Sequence, residues 1–148
     1  MGGDYLYPYI FYGVNINIDI KKYIEWYSLN YGETLSEKDI KNNNIEIYEE
    51  LQNIVNQYCK SNNYIVEFCE YFDYYYSRFE EGNIDRELYN YCIAIKVKSP
   101  FEKKTKYNAS NILKYKNQIR DEIKNIIDNF NFLLFKKVKS PKLIAGIR

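Results

Sequence analysis

The chain has 148 residues, 21 of them Lys or Arg and 20 Asp or Glu, for a formal net charge of +1. The signs are segregated: residues 1–95 carry 16 acids and 7 bases, net −9, whereas residues 96–148 carry 4 acids and 14 bases, net +10. A length of about 150 residues suits a single domain, here residues 1–148, and 46% apolar with 28% charged residues excludes a wholly disordered chain.

In chain order, Tyr9 to Ile18 reads as a strand, with Ile10, Tyr12, Val14, Ile16 and Ile18 on one face and Asn15 and Asn17 on the other. Asp19 is placed to N-cap a helix whose Ile20, Tyr23, Ile24, Tyr27 and Tyr31 recur at helical spacing until Gly32. Thr34 and Glu37 have capping-box spacing, which predicts a short helical turn over 35–41. Asn42 to Asn44 break the chain and cap a further helix with an Ile47, Leu51, Ile54, Val55 and Tyr58 stripe. Its Glu46, Glu49 and Glu50 lie near the N-terminus and Lys60 near the C-terminus, as the helix dipole favours, so this carboxylate cluster needs no metal.

Tyr64 to Phe79 reads as a long or broken strand, Glu80 to Asn83 as a turn, and Leu88 to Lys98 as a strand that completes an antiparallel hairpin. After Ser99-Pro100 and a basic loop, a long amphipathic helix runs from Ser110 through Ile112, Tyr115, Ile119, Ile123, Ile126 and Phe130. Its Lys114, Arg120, Lys124, Asp121, Glu122 and Asp128 read as a solvated face. Phe132 to Val138 forms a last strand, which Leu143 to Ile147 extends or pairs with. The expected class is α+β: an antiparallel sheet of four to five strands packed on one face by helices. The element order matches a ferredoxin-like β-α-β-β-α-β with an extended helical insert between strands 1 and 2.

Asn, Ile, Lys and Tyr make 73 of the 148 residues. All are written with A+T-rich codons, which points to an A+T-rich genome such as that of a parasite, a phage or a large DNA virus. Codon bias supplies such residues without any partner selecting them. The absence of His removes the usual general base and the commonest metal ligand, with every Ser-His and Cys-His constellation. The six Gly are spaced for neither a phosphate loop nor a dinucleotide turn. Cys59, Cys69 and Cys92 contain no C-x-x-C pair and read as buried thiols of a reducing, cytoplasmic setting, the host cytoplasm for a viral chain. Neither a secretory signal nor a membrane span is expected. Glu67 and Glu70 should point to opposite faces of a strand, and the E-x-K of Glu102 to Lys104 falls in a loop, so no catalytic residue, metal, cofactor or small-molecule ligand is expected.

Two surfaces remain as candidates. Tyr71, Tyr74, Tyr75 and Tyr76 crowd one short region and suit an aromatic interface for self-association. Lys96, Lys98, Lys103, Lys104 and Lys106, then Lys136, Lys137, Lys139 and Lys142, form a basic binding surface with Phe101, Tyr107, Phe132 and Phe135 nearby, where lysines contact phosphates and rings stack on bases. In that setting Ile10-Phe11-Tyr12-Gly13-Val14-Asn15-Ile16 is loosely similar to the first-strand motif of RNA-recognition motif domains, and Tyr89-x-Tyr91 to their third-strand aromatic pair. The likeness covers about 17 residues and departs at Glu87 and Asn90. It implies rings displayed on an open sheet face, whereas Ile93, Ile95 and Val97 share the face of Tyr89 and Tyr91 and argue for burial. The expectation is therefore a non-enzymatic binding or assembly protein, self-associating as a homodimer, with nucleic-acid binding by the basic C-terminal third as the alternative.

Overall fold

A computed structural model describes residues 8–42, 44–72, 89–97, 107, 111–135 and 140–147. The first strand, β1 (Pro8–Ile18), is central. One edge pairs antiparallel with β3 (Tyr89–Val97), from Ile10↔Val97 to Ile16↔Tyr91. The other edge takes two segments in succession: β5 (Lys142–Ile147) from Pro8↔Ile147 to Gly13↔Lys142, and β4 (Leu133–Phe135) from Ile16↔Phe135 to Ile18↔Leu133. The last strand expected from the sequence is thus split in two, both parts on one edge of β1. Outside β3 lies β2 (Glu67–Phe72), antiparallel from Glu67↔Ala94 to Phe72↔Tyr89, which forms the expected hairpin pairing. The expected turn at Glu80 to Asn83 lies outside the described residues.

The architecture is α+β, an antiparallel sheet with helices, but the ferredoxin-like order is not confirmed. Phe72↔Ile147 joins β2 to β5, so the ladders run β3-β2-β5-β1-β4 with β3 returning to β1. The sheet therefore curls until its outer strands touch. This curl accounts for a burial the alternation did not foresee. Val14, Ile16, Ile93, Ile95 and Val97 face the helices as expected, and Phe68 of β2 joins them. The opposite face buries a second cluster of Phe11, Cys69, Tyr71, Cys92, Ala94 and Ile144. Close approach of β1 to β3 on that face needs Gly13, because a Cβ there would lie 2.6 Å from Ala94 Cα and still nearer the Ile93 carbonyl oxygen.

Among the described residues, four helices cover the first face. The helix α1 (Ile20–Tyr31) starts at Asp19, whose carboxylate accepts from Lys22 N–H at 3.2 Å, and stops at Gly32 with φ 68°. The helix α2 (Glu37–Asn42) is capped by Ser36 and Asp39, each side chain accepting from the other's backbone N–H, and not by the expected Thr34 and Glu37. The helix α3 (Asn44–Ser61) buries Ile47, Leu51, Val55 and Cys59, and α4 (Ile112–Asn129) buries Ile112, Ile119, Ile123 and Ile126.

The expected solvated face of α4 is corrected at one position. Glu122 is buried, and its Oε1 accepts from the N–H groups of Ile65 at 2.7 Å and Val66 at 3.2 Å, while Oε2 accepts from Gln118 at 2.7 Å. The carboxylate thus closes the turn that leads from α3 into β2. A second polar tie protects the outer edge of β2: Asn56 Oδ1 accepts from Phe68 N–H at 2.7 Å, and Asn56 and Gln52 amides donate to the Phe68 carbonyl at 3.3 and 3.2 Å. All three cysteines are buried and in no disulfide. No described helix is long and apolar enough to cross a membrane.

Candidate functional site

Tyr23 and Tyr27 lie four residues apart on α1, and Glu46 and Glu50 four residues apart on α3, so each pair shares one side of its helix. Between them, with α2 at one end, is an open cleft of about 120 Å³ lined by Tyr23, Tyr27, Leu35, Asp39, Glu46, Ile47 and Glu50. Sequence reasoning assigned Tyr23 and Tyr27 to a core stripe and the glutamates to the helix dipole. Tyr23 is in the core and Glu46 in the first turn of α3 as expected, Glu50 lies beyond that turn, and only the arrangement of α1, α2 and α3 shows that the two pairs line one space.

Tyr23 is the most deeply buried tyrosine of this lining. It is 1% exposed, its ring lies 5.2 Å edge-on from Phe132 and 6.0 Å from Trp26, and its hydroxyl has no hydrogen-bond partner among the described residues. A buried hydroxyl left in that state costs about 1–3 kcal/mol. Burial first, and then the Glu50 carboxylate, raise its phenol above the usual tyrosine range. Tyr27 donates to Glu33 Oε2 at 3.4 Å, and burial followed by Glu33 and Glu50 raises its phenol as well. Asp39 is tied to Ser36, whose hydrogen bonds lower its carboxyl.

The residues singled out from sequence are placed as follows. Tyr71 is buried, stacks obliquely on Phe11 at 5.8 Å and donates its hydroxyl to Asn15 Oδ1, so it belongs to the second core cluster and not to an exposed interface. The curl of the sheet is the physical reason. Tyr74, Tyr75 and Tyr76 lie outside the described residues. Of the basic surface, Lys98, Lys103, Lys104, Lys106, Lys136, Lys137 and Lys139 also lie outside them. Lys96 is half-buried and Lys142 exposed; they face Phe11 and Gly13 from the two sides of β1, on the sheet face away from the helices.

Among the described side chains, the aromatic display implied by the RNA-recognition resemblance is not built. Tyr12 is buried, and Tyr91 lies flat against Tyr48 of α3, with centroids 3.8 Å apart and rings within 1° of parallel. Both face the helices, where no base can reach them. Among the described residues no group of three or more carboxylates and thiols is placed to hold a metal ion. No protein-family model, curated protein or solved structure matches the chain.

Proposed function

We propose that this is a non-catalytic binding and assembly protein that associates with itself, as a homodimer, through its oppositely charged parts. The observation that supports this reading is an acidic pair, Glu46 and Glu50, that no basic residue among those described neutralises. Both line an open cleft. The ion pair seen between described side chains, Arg120 to Asp121 at 3.7 Å, joins neighbours in sequence on α4. With net −9 on residues 1–95 and +10 on residues 96–148, the acidic helices of one copy complement the basic part of another. Three thiols in no disulfide suit a reducing compartment such as the cytoplasm.

Sedimentation velocity at two ionic strengths tests this. A dimer at about 0.02 M salt that dissociates at about 0.5 M is expected, because exposed charges are screened within a few ångströms at the higher value. A monomer at both, at tens of micromolar protein, sinks the reading.

A second reading, nucleic-acid binding, draws on the shared sheet face of Lys96 and Lys142. A gel shift with single- and double-stranded probes at low salt separates it from the first, since phosphate contacts weaken steeply with salt. No shift at low salt removes it.

A further inference from the structure

The polar side chains of the α1–α2–α3 cleft divide by their hydrogen bonds. Tyr27 is engaged by Glu33 and Asp39 by Ser36. Three acceptors remain without a partner among the described residues: the Tyr23 phenol oxygen and the carboxylates of Glu46 and Glu50. Tyr23 is the independent observation, since an acidic pair on an exposed helix needs no ligand, but a tyrosine 1% exposed that lines the cleft, feels the Glu50 carboxylate and has no hydroxyl partner among the described residues does call for one.

We propose that the cleft binds a primary alkylammonium group, whose three N–H donors meet the Tyr23 oxygen and one carboxylate oxygen each of Glu46 and Glu50, with its methylene stem along Leu35 and Ile47. An ammonium head has three donors and no acceptor, which matches a site of three unengaged acceptors. An anion would meet two uncompensated carboxylates. A divalent cation needs six or more close oxygen ligands, and the described residues hold no group suited to one. At about 30 Å³ for each water-sized group, 120 Å³ admits the head and about three carbons, and the open side of the cleft leaves room for a fourth to extend outward. The raised phenol keeps Tyr23 neutral at physiological pH, so its lone pairs stay available to an N–H donor.

Such a group comes from two sources, a lysine side chain of a second copy or a free small amine. The first rests on the self-association reading, and the second does not.

The test uses the full chain and its single tryptophan, Trp26, whose ring lies 6.0 Å from that of Tyr23 and so reports on the cleft by its emission. n-Butylammonium chloride is titrated at constant ionic strength beside sodium chloride and n-butanol. A saturable emission change with butylammonium alone is expected, with affinity reduced at least about tenfold in Glu46→Gln/Glu50→Gln and several-fold in Tyr23→Phe. The glutamates are exposed and Tyr23→Phe keeps the ring, so circular dichroism should show all variants folded. No saturable change, an equal change with butanol, or unchanged affinity in the double variant overturns the proposal. Sedimentation of that variant names the source: loss of low-salt association assigns a lysine of a second copy, and retained association assigns a free amine. A wild-type chain monomeric at every salt concentration overturns self-association while leaving the butylammonium result standing.

Discussion

Glu122 on α4 accepts a hydrogen bond from the backbone N–H of Ile65 at 2.7 Å, across 57 positions of sequence. The same oxygen takes Val66 N–H at 3.2 Å, so one side chain satisfies two donors of the turn that precedes β2. Glu122→Ala leaves both donors without a partner and should cost about 2–4 kcal/mol, whereas Glu122→Gln, which keeps one acceptor oxygen, should cost less. Urea unfolding monitored by circular dichroism measures both. Equal stability of Glu122→Ala and the wild type would show the tie to be dispensable.

Gly13 and Gly32 separate steric from conformational demands. At Gly13 a Cβ would collide with the backbone of β3, while at Gly32 it meets nothing within 4 Å and the demand is only the positive φ. Gly32→Ala should therefore cost about 1 kcal/mol. Gly13→Ala should cost more, on the order of 2–3 kcal/mol, because the strands must separate. Thermal melts that rank the two in the opposite order would contradict the β1–β3 register.

Asn56 serves β2 as an adjacent strand would, pairing both the N–H and the carbonyl of Phe68. Asn56→Ala should destabilise by about 1–3 kcal/mol and also expose an unpaired edge. Light scattering on mild heating is expected to rise earlier in the variant than an equal loss of stability elsewhere would cause. A Gln57→Ala control, at an exposed neighbour on the same helix, should do neither.

Cys59 supplies a pH dependence with a definite sign. Burial, reinforced by Glu122 and Glu67, pushes its thiol from 9.0 up to about 12. The folded state then holds a proton that the unfolded state has released, so its stabilising contribution is complete below about pH 9 and is lost as pH rises toward about 12. Tyr48, raised by burial, acts in the same direction at somewhat higher pH. The urea midpoint should fall between about pH 8 and about pH 10.5, and Cys59→Ala should shrink that fall. An identical fall in the variant would exclude the thiol as its source. In the native protein the same burial should leave Cys59 unreactive toward thiol reagents near neutral pH.

The elements whose apolar residues repeat at one period were legible in the sequence, because a period of two or of 3.6 is a local property of the chain. On that basis β1, α1 with its Asp19 and Gly32 ends, α3, β3 and α4 were found close to their bounds, and the antiparallel pairing of β2 with β3 followed from their adjacency. The cap of α2 was misread because Thr34/Glu37 and Ser36/Asp39 carry the same spacing, and the hydrogen bonds choose between them.

What lay beyond the sequence depends on contacts between distant segments. A polar alternation on β1 and β3 implies an open face, yet the meeting of Phe72 with Ile147 curls the sheet and buries Phe11, Cys92 and Tyr71. Glu122 looked like any surface acid until Ile65 and Val66 were brought to it. The cleft follows the same rule: Tyr23 and Tyr27 on one helix, and Glu46 and Glu50 on another, are ordinary i, i+4 pairs taken singly. Composition and periodicity determined the class of this protein and the segregation of its charge. Only the tertiary packing decided which acid is a buried tie and which acids line a cleft beside a buried phenol, because burial and hydrogen bonding are properties of pairs of segments, which no single segment encodes.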